Sequence, residues 1–378
     1  MTDTCILIPD GDDPRALAVV RSLRHRTNLN LKVHAIVNKR VPRRIRFSRY
    51  CSSHSFDIPQ NDVEALYEAV SAISKSIPID VILPISETGA RFVAAKRDLL
   101  HQRFKLPAVP DIQSLELVSD KHSLTEFARN GHVPTPSTVF VKHGSPMDRT
   151  IPNMSFPVLM KPLAGSDGKG IRRFDSAEDI ENELARPAGQ LYQQGGLVQE
   201  FLSGSDTDLS VLCKDGEILA HTIQKKIASH DTPFRLGKVI EFINHEEVLL
   251  NGRKLLSALN WNGVAHLDFV CRNKDKEPCL IDFNPRYWGT LYGSVLAGVN
   301  FPFLHYLTAL DVSFSRPEYR HTKYGELSPQ ELLLKPFLRT AVGGVSLMNE
   351  SNFAFIYKDP LPSLLSSAYG ALTRVFKK

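Results

Sequence analysis

The chain has 378 residues, is 42% hydrophobic and 23% charged, and carries a net charge of +5, which is the balance of a globular protein with material for two or three domains. Its five cysteines (Cys5, Cys51, Cys213, Cys271 and Cys279) are scattered and form no C-x-x-C pair; this argues against a disulfide scaffold or structural zinc and for a reducing compartment. The first residues lack the basic-then-apolar pattern of a signal peptide, and no apolar run approaches the ~18 residues of a membrane span, so a cytoplasmic enzyme is expected.

Up to about residue 110, strand and helix alternate. Cys5-Ile-Leu-Ile-Pro9, Lys32 to Val37 and Asp80 to Ile85 read as strands, and Pro14 to Arg24 and Val63 to Lys75 as helices. This pattern predicts a parallel sheet with helices on its faces. Ligands of such sheets gather at the carboxyl ends of strands, here Asp10-Gly11-Asp12-Asp13 and Ser86-Glu87-Thr88-Gly89. Neither loop is G-x-G-x-x-G, which excludes a dinucleotide fingerprint; helix N-capping by Asp13 or Ser86 accounts for them equally well. Lys39 to Arg49 concentrates positive charge but has no nucleic-acid-binding fold signature. It reads as a solvated loop, and no nucleic-acid partner is expected.

From Asp111 the pattern turns helical through Ser114 to Arg129, stopped by Asn130-Gly131. Phe156 to Lys161 is then a strand ending in a lysine, followed by Leu163-Ala-Gly165-Ser166-Asp-Gly168-Lys-Gly170. Such a loop lets backbone N–H groups approach anionic oxygens, and a lysine beside it adds a point charge for a phosphate. The Walker spacing is absent. Ala177 to Leu184 reads as a helix capped by Ser176, Leu197 to Leu202 as a strand, and Leu209 to Ile227 as a hairpin about Asp215-Gly216. Glu246 to Asn260 is helical and Trp261 a core residue.

Val264 to Gly289 is the most informative stretch. Two apolar runs bracket the turn Asn273-Lys-Asp-Lys276, as in a hairpin, with Asp268 in the first and Asp282 and Asn284 in the second. Alternation puts 282 and 284 on one face, where an in-register partner adds Asp268. Two carboxylates and an amide oxygen are hard ligands suited to Mg²⁺ beside substrate phosphates. Arg286 brings a planar fork for phosphate oxygens. The plainer account is a strand that merely ends at Asp, Asn and Pro. His266, two residues before Asp268, reads as a satisfied structural histidine, since no His-rich metal spacing surrounds it. Ser294 to Leu310 is read as one apolar helix interrupted by Pro302. Leu361 to Lys378 reads as an amphipathic helix with a basic end, expected to pack on the body ahead of contacting a membrane.

Lys161 with its glycine loop, Gln199-Glu200-Phe201-Leu202, Asp268 and Asp282-Phe-Asn284-Pro-Arg286, in this order, resemble the ATP-grasp superfamily over about residues 1 to 310. More narrowly they resemble its carboxylate-amine ligases, of the D-alanine:D-alanine ligase and carbamoyl-phosphate synthase type. The resemblance implies a Rossmann-like α/β domain over 1–110, a small lobe over 111–202, a large lobe with the metal site over 203–320 and an extension over 321–378. It implies ATP bound by Lys121, Lys161, Gly165, Ser166, Gly168 and Gly170, adenine read at Glu200, Phe201 and Leu202, and ribose at Asp208. One or two Mg²⁺ ions, or Mn²⁺, would sit on Asp268, Asp282 and Asn284. Arg286, Lys225 and Arg235 are its catalytic candidates, and Glu87 its candidate for the other substrate. The activity implied is ADP-forming ligation of a small carboxylic acid to an amine through an acylphosphate, with room for a homodimer. The alternatives are a biotin carboxylase-like enzyme that activates bicarbonate and a nucleotide-binding regulator without turnover.

Overall fold

The computed structural model describes residues 4–25, 29–39, 44–142, 151–163, 170–185, 195–229, 237–327 and 345–365. Strands β1 (Thr4–Ile8), β2 (Leu31–Asn38), β3 (Ser52–Phe56) and β4 (Val81–Ile82) form a parallel sheet in the order β3-β2-β1-β4. Helices α1 (Ala16–Leu23), α2 (Val63–Ser74), α3 (Glu87–Ala95) and α4 (Arg97–His101) accompany it. Alternation along β1 works as a sorting device: Cys5 and Leu7 enter one core with α2, while Ile6 and Ile8 enter another with α1. β3 was not expected; Ser52-Ser-His-Ser-Phe has no apolar run, and its place at the sheet edge asks for none.

Next come α5 (Ile112–Ser119) and α6 (Lys121–Asn130), whose first turns are capped by Asp111 and Asp120 through Ser114 N–H and Ser123 N–H. A second, antiparallel sheet follows: β5 (Thr138–Val141), β6 (Val158–Pro162), β7 (Arg172–Phe174) and β8 (Gly196–Glu200), in the order β5-β8-β6-β7. Helix α7 (Ala177–Leu184), capped by Ser176 as expected, closes its small separate core.

The third sheet is the largest, with order β13-β12-β9-β10-β11-β14. Its strands are β9 (Gly204–Lys214), β10 (Glu217–Ser229), β11 (Gly237–Phe242), β12 (Gly263–Arg272), β13 (Pro278–Asn284) and β14 (Lys323–Gly325). Asp215 and Gly216, at φ 52° and 76°, make the β9–β10 turn. Helix α8 (Glu246–Ala258) covers one face, with Trp261 fully buried behind it. The expected single helix over 294–310 is two, α9 (Leu291–Ala297) and α10 (Phe301–Ala309). Gly298 at φ 124° ends the first and Asn300 caps the second, so Pro302 lies in an opening turn, where its missing N–H costs nothing. A parallel α/β sheet followed by two antiparallel sheets is the fold class expected.

The C-terminal segment 345–365 returns to the first sheet. Asp359, buried, accepts from Arg21 Nε at 3.0 Å, Ser48 Oγ at 2.8 Å and Arg49 N–H at 3.0 Å. Arg21 of α1 is buried too. Breaking such a pair from one side strands the other charge. Asp359→Ala is therefore expected to cost about 3–5 kcal/mol, measured as a lowered urea midpoint, with Arg21→Met costing a comparable amount because it strands the buried Asp359 carboxylate.

Candidate active site

β9, β12 and β13 lie side by side, and their register sets Asp208 opposite Asp268 and Asp268 opposite Asp282. Three carboxylates thus form one row across three strands. The next row on the same face holds Ser210, His266 and Asn284. Asn284 Nδ2 donates to Asp268 Oδ2 at 3.3 Å, and His266 Nε2 lies 3.3 Å from Asp268 Oδ1. The expected trio Asp268, Asp282 and Asn284 is brought together, and Asp208, expected at a ribose, belongs beside it. Ligand atoms of Asp208, His266 and Asp268 lie within 4.8 Å of one another.

Burial, then the negative charges of Asp208 and Asp282, push the Asp268 carboxyl well up; burial lifts Asp208 to about 7, against a hydrogen bond from Gln224. A row of crowded hard oxygens whose ionised state is held back by its own repulsion fits a divalent cation. Burial drives His266 down to about 3, so its ring is neutral. Ser210 Oγ sits 2.9 Å from Nδ1 and the ring stacks on Trp288. The tautomer that satisfies both contacts has Ser210 donating to Nδ1 and Nε2–H facing Asp268. His266 is thus a satisfied histidine, as expected, and it orients a carboxylate.

Cations face this row. Lys121, at the start of α6, donates to Asp282 Oδ1 at 2.6 Å. Lys161, at the end of β6 in the second sheet, is 9% exposed and donates to Gln199 Oε1 at 2.6 Å. Burial lowers it to about 8, with Asp282 and Asp268 opposing and Lys121 assisting. Lys121, Lys161 and Gln199 line one small recess with Thr135, Leu280 and Ile281. β13 ends at Asn284, but Arg286 turns back and donates to Asn284 Oδ1 at 2.7 Å.

At the rim, Glu200 N–H and Phe201 N–H donate to Ser137 O and Pro157 O at 2.9 and 3.0 Å. Of the three hinge positions, Leu202 is the one outside these two bonds. Gly170, at φ 80°, is described. Gly165, Ser166, Gly168 and Arg235 lie outside the described residues. Glu87 pairs with Arg91 and accepts from Ser119 Oγ at 2.6 Å, with its side chain 37% exposed. Ser86 caps α3 through Gly89 N–H, while Asp10 accepts from Ser86 Oγ at 2.5 Å. Asp13 pairs with Arg15 rather than capping α1. These carboxyl-end loops abut the exit of the β12–β13 hairpin, where Tyr287 N–H donates to Ile85 O.

Lys225 needs a correction. It stands opposite Thr207, one residue off the Asp208 row, and so points to the other face; Gln224 stands opposite Asp208 and donates to its Oδ2 at 2.9 Å. Lys226 shares the carboxylate face and reaches Asp206 Oδ2 at 3.0 Å. A register shift between Ile218 and Ala220 causes this. One extra residue in a hairpin arm exchanges the two faces beyond it. Gln224, itself held by Thr290 Oγ1 at 2.8 Å, was missed for the same reason.

Residues 118–290 match the family model described as an ATP-grasp domain. This part of the chain is an ATP-grasp domain. The chain is 25% identical over 237 residues, 59% of its length, to the formate-dependent phosphoribosylglycinamide formyltransferase of Prochlorococcus marinus (strain MIT 9515), of which the match covers 57%. It is 25% identical over 245 residues, 62% of its length, to the carbamoyl-phosphate synthase of Methanobrevibacter smithii, of which 63% is covered. The chain therefore spans about three fifths of these relatives. A solved N5-carboxyaminoimidazole synthetase of Staphylococcus aureus, complexed with ADP, shares the fold of this chain at a TM-score of 0.68 and 16% identity, over 89% of this chain and 86% of that one. The family resemblance carried by the motifs is borne out.

Lys161 gives a pH signature. Its ordinary value is 10.5 and its folded value about 8, so between them the unfolded chain binds more protons and stability rises with pH. Measured against Lys161→Met in nucleotide-free protein, the wild type is expected to gain about 3 kcal/mol between pH 8 and 10.5. Urea titrations across that range test it.

Proposed function

We propose that the protein is an ATP-dependent ligase that joins a carboxylic acid to an amine and releases ADP and phosphate. The observation that carries this reading is the row Asp208–Asp268–Asp282, met at Asp282 by Lys121, which lines one recess together with Lys161. One side suits a cation and the other suits phosphate oxygens, as phosphoryl transfer requires. Asp268, Asp282 and Asn284, with Asp208 beside them, hold one or two Mg²⁺ or Mn²⁺ ions. When bound, the metal neutralises phosphate charge and polarises the transferred group.

Lys121 exchanges its contact with Asp282 for a phosphate, and Lys161 contributes charge from the second sheet. The glycine-rich sequence of residues 165–170 suits backbone contacts to a polyphosphate, and the adenine edge meets the backbone at Glu200 to Leu202. A substrate carboxylate oxygen attacks the γ-phosphorus and the bond to ADP breaks; the amine then attacks the acyl carbon of the resulting acylphosphate, and phosphate leaves with the amine's proton as the C–N bond forms. Arg286, aimed by Asn284 Oδ1, stabilises charge at the transferred group. No protein nucleophile is used. Burial pushes the Cys213 and Cys271 thiols up, and Cys279 up to about 11, away from the reactive thiolate.

Hydroxylamine trapping tests the proposal: carboxylic acids, bicarbonate among them, are incubated with MgATP and hydroxylamine, and hydroxamates and ADP are quantified. One acid is expected to give a hydroxamate with matching ADP. Asp282→Ala is expected to lower ADP formation about 10²–10³-fold with an unchanged melting temperature. ATP binding without ADP formation across the panel would overturn the ligase in favour of a regulator, and ADP release with bicarbonate alone would favour a carboxylase.

A further inference from the structure

We propose that the surface carrying Phe47, Tyr357, Leu361, Leu364 and Leu365 docks the protein on an anionic lipid bilayer. Residues 361–365 are helical, and the helix is turned the wrong way for packing on its own protein. Leu361, Leu364 and Leu365 are 53%, 51% and 41% exposed, while Ser363, 7% exposed, and Pro362 face inward. A helix that merely covers the body buries its leucines and exposes its serine. In the sequence, Tyr369, Leu372 and Phe376 continue the spacing of Leu361 and Leu365.

The face is held in place by the buried Asp359 network: Ser48 Oγ and Arg49 N–H bond its carboxylate, and Tyr50 Oη donates to Lys358 O at 3.3 Å. That network sets the 44–50 turn beside the helix, and the turn exposes Phe47 at 47% together with Arg44 and Arg49. Tyr357, 68% exposed, and Lys358 stand on the other strand of the contact. Aromatic and leucine side chains interspersed with arginine and lysine are the composition of an interfacial surface.

Charge selects the occupant. Residues 39–50 hold six basic and no acidic side chains, residues 360–378 three basic and no acidic ones. The acid between them, Asp359, is buried against Arg21. A second copy of the chain would set the exposed Arg44, Arg49 and Lys358 of this surface against themselves. A bilayer with anionic headgroups supplies the opposite charge and an apolar interior together. No helix among the described residues is long and apolar enough to cross a membrane, so the contact is at the surface.

Sedimentation of the full chain with vesicles tests this, using phosphatidylcholine alone and phosphatidylcholine mixed with phosphatidylglycerol. The protein is expected to pellet with the mixed vesicles at low salt, to be released by high salt, and to ignore neutral vesicles. Leu361→Ser with Leu364→Ser and Leu365→Ser, all at exposed positions, is expected to lower partitioning at least about tenfold. Arg44→Glu with Arg49→Glu is expected to lower it about fivefold per charge. Melting temperature controls for folding. Failure of the wild type to bind the mixed vesicles, or equal binding by the leucine variant, would overturn the proposal. So would a wild-type dimer that the leucine variant turns into a monomer, because the surface would then belong to a second copy.

Discussion

The lateral register of β9, β12 and β13 is the constraint on which the site depends. It places three carboxylates at the spacing of directly opposed strand residues, about 5 Å, where two like charges repel by about 3 kcal/mol at the effective dielectric of a protein site. Asp268 sits between two such neighbours, and burial first, then their charges, push its carboxyl well up. A sheet keeps such an arrangement only if positive charge is within reach. Lys121 answers it at Asp282, and Arg286 at Asn284 and, through space, at Asp268. Among the described residues these contacts leave the middle carboxylate without a lysine or arginine in direct contact, and a divalent ion would fit that position.

The side chains around the row act on its geometry rather than its charge. His266, neutral and stacked on Trp288, directs one nitrogen toward Asp268. Gln224, tied by Thr290, gives its amide to Asp208. Both supports are buried, so their rotamers are fixed by packing before any ligand arrives. The first sheet meets the same hairpin where Tyr287 N–H bonds Ile85 O, which brings the carboxyl ends of β1 and β4 to the exit of β13.

Much of this was legible in the residues themselves, because strand parity is a local property. Asp282 and Asn284 share a face by count alone, but Asp268 stands opposite Asp282 only because the β12–β13 ladder shifts by one residue between Asp268 and Phe269. The helix caps at Ser86 and Ser176 are equally local. Parity fails wherever the count is interrupted. The irregularity between Ile218 and Ala220 carries no residue signature such as glycine or proline, so the sequence does not show which of Gln224, Lys225 and Lys226 shares the Asp208 face. Glu87 misled for another reason: a carboxylate at the carboxyl end of a parallel sheet is placed where ligands bind, but its partners Arg91 and Ser119 come from α3 and α5, whose packing no pattern in the loop reveals. Similarly, β3 is polar because a sheet edge requires no apolar alternation.

Electrostatic asymmetry across the cleft explains why the two antiparallel sheets belong to one site. The third sheet supplies crowded carboxylates that resist ionisation, and the second supplies Lys161, a buried ammonium that resists protonation. Each is costly alone for the same physical reason, desolvation of a charge, and neither touches the other. Direct pairing of Lys161 with the row would quench both and close the recess. Held instead by the neutral Gln199 Oε1, the lysine stays available to an anion from the other side. A polyphosphate carrying a divalent cation matches this division, with its oxygens toward the lysines and its metal toward the aspartates. Its binding would draw the lysine toward its charged form and the aspartates toward theirs, so the ligand is favoured by relief of two separate penalties that the folded chain bears without it.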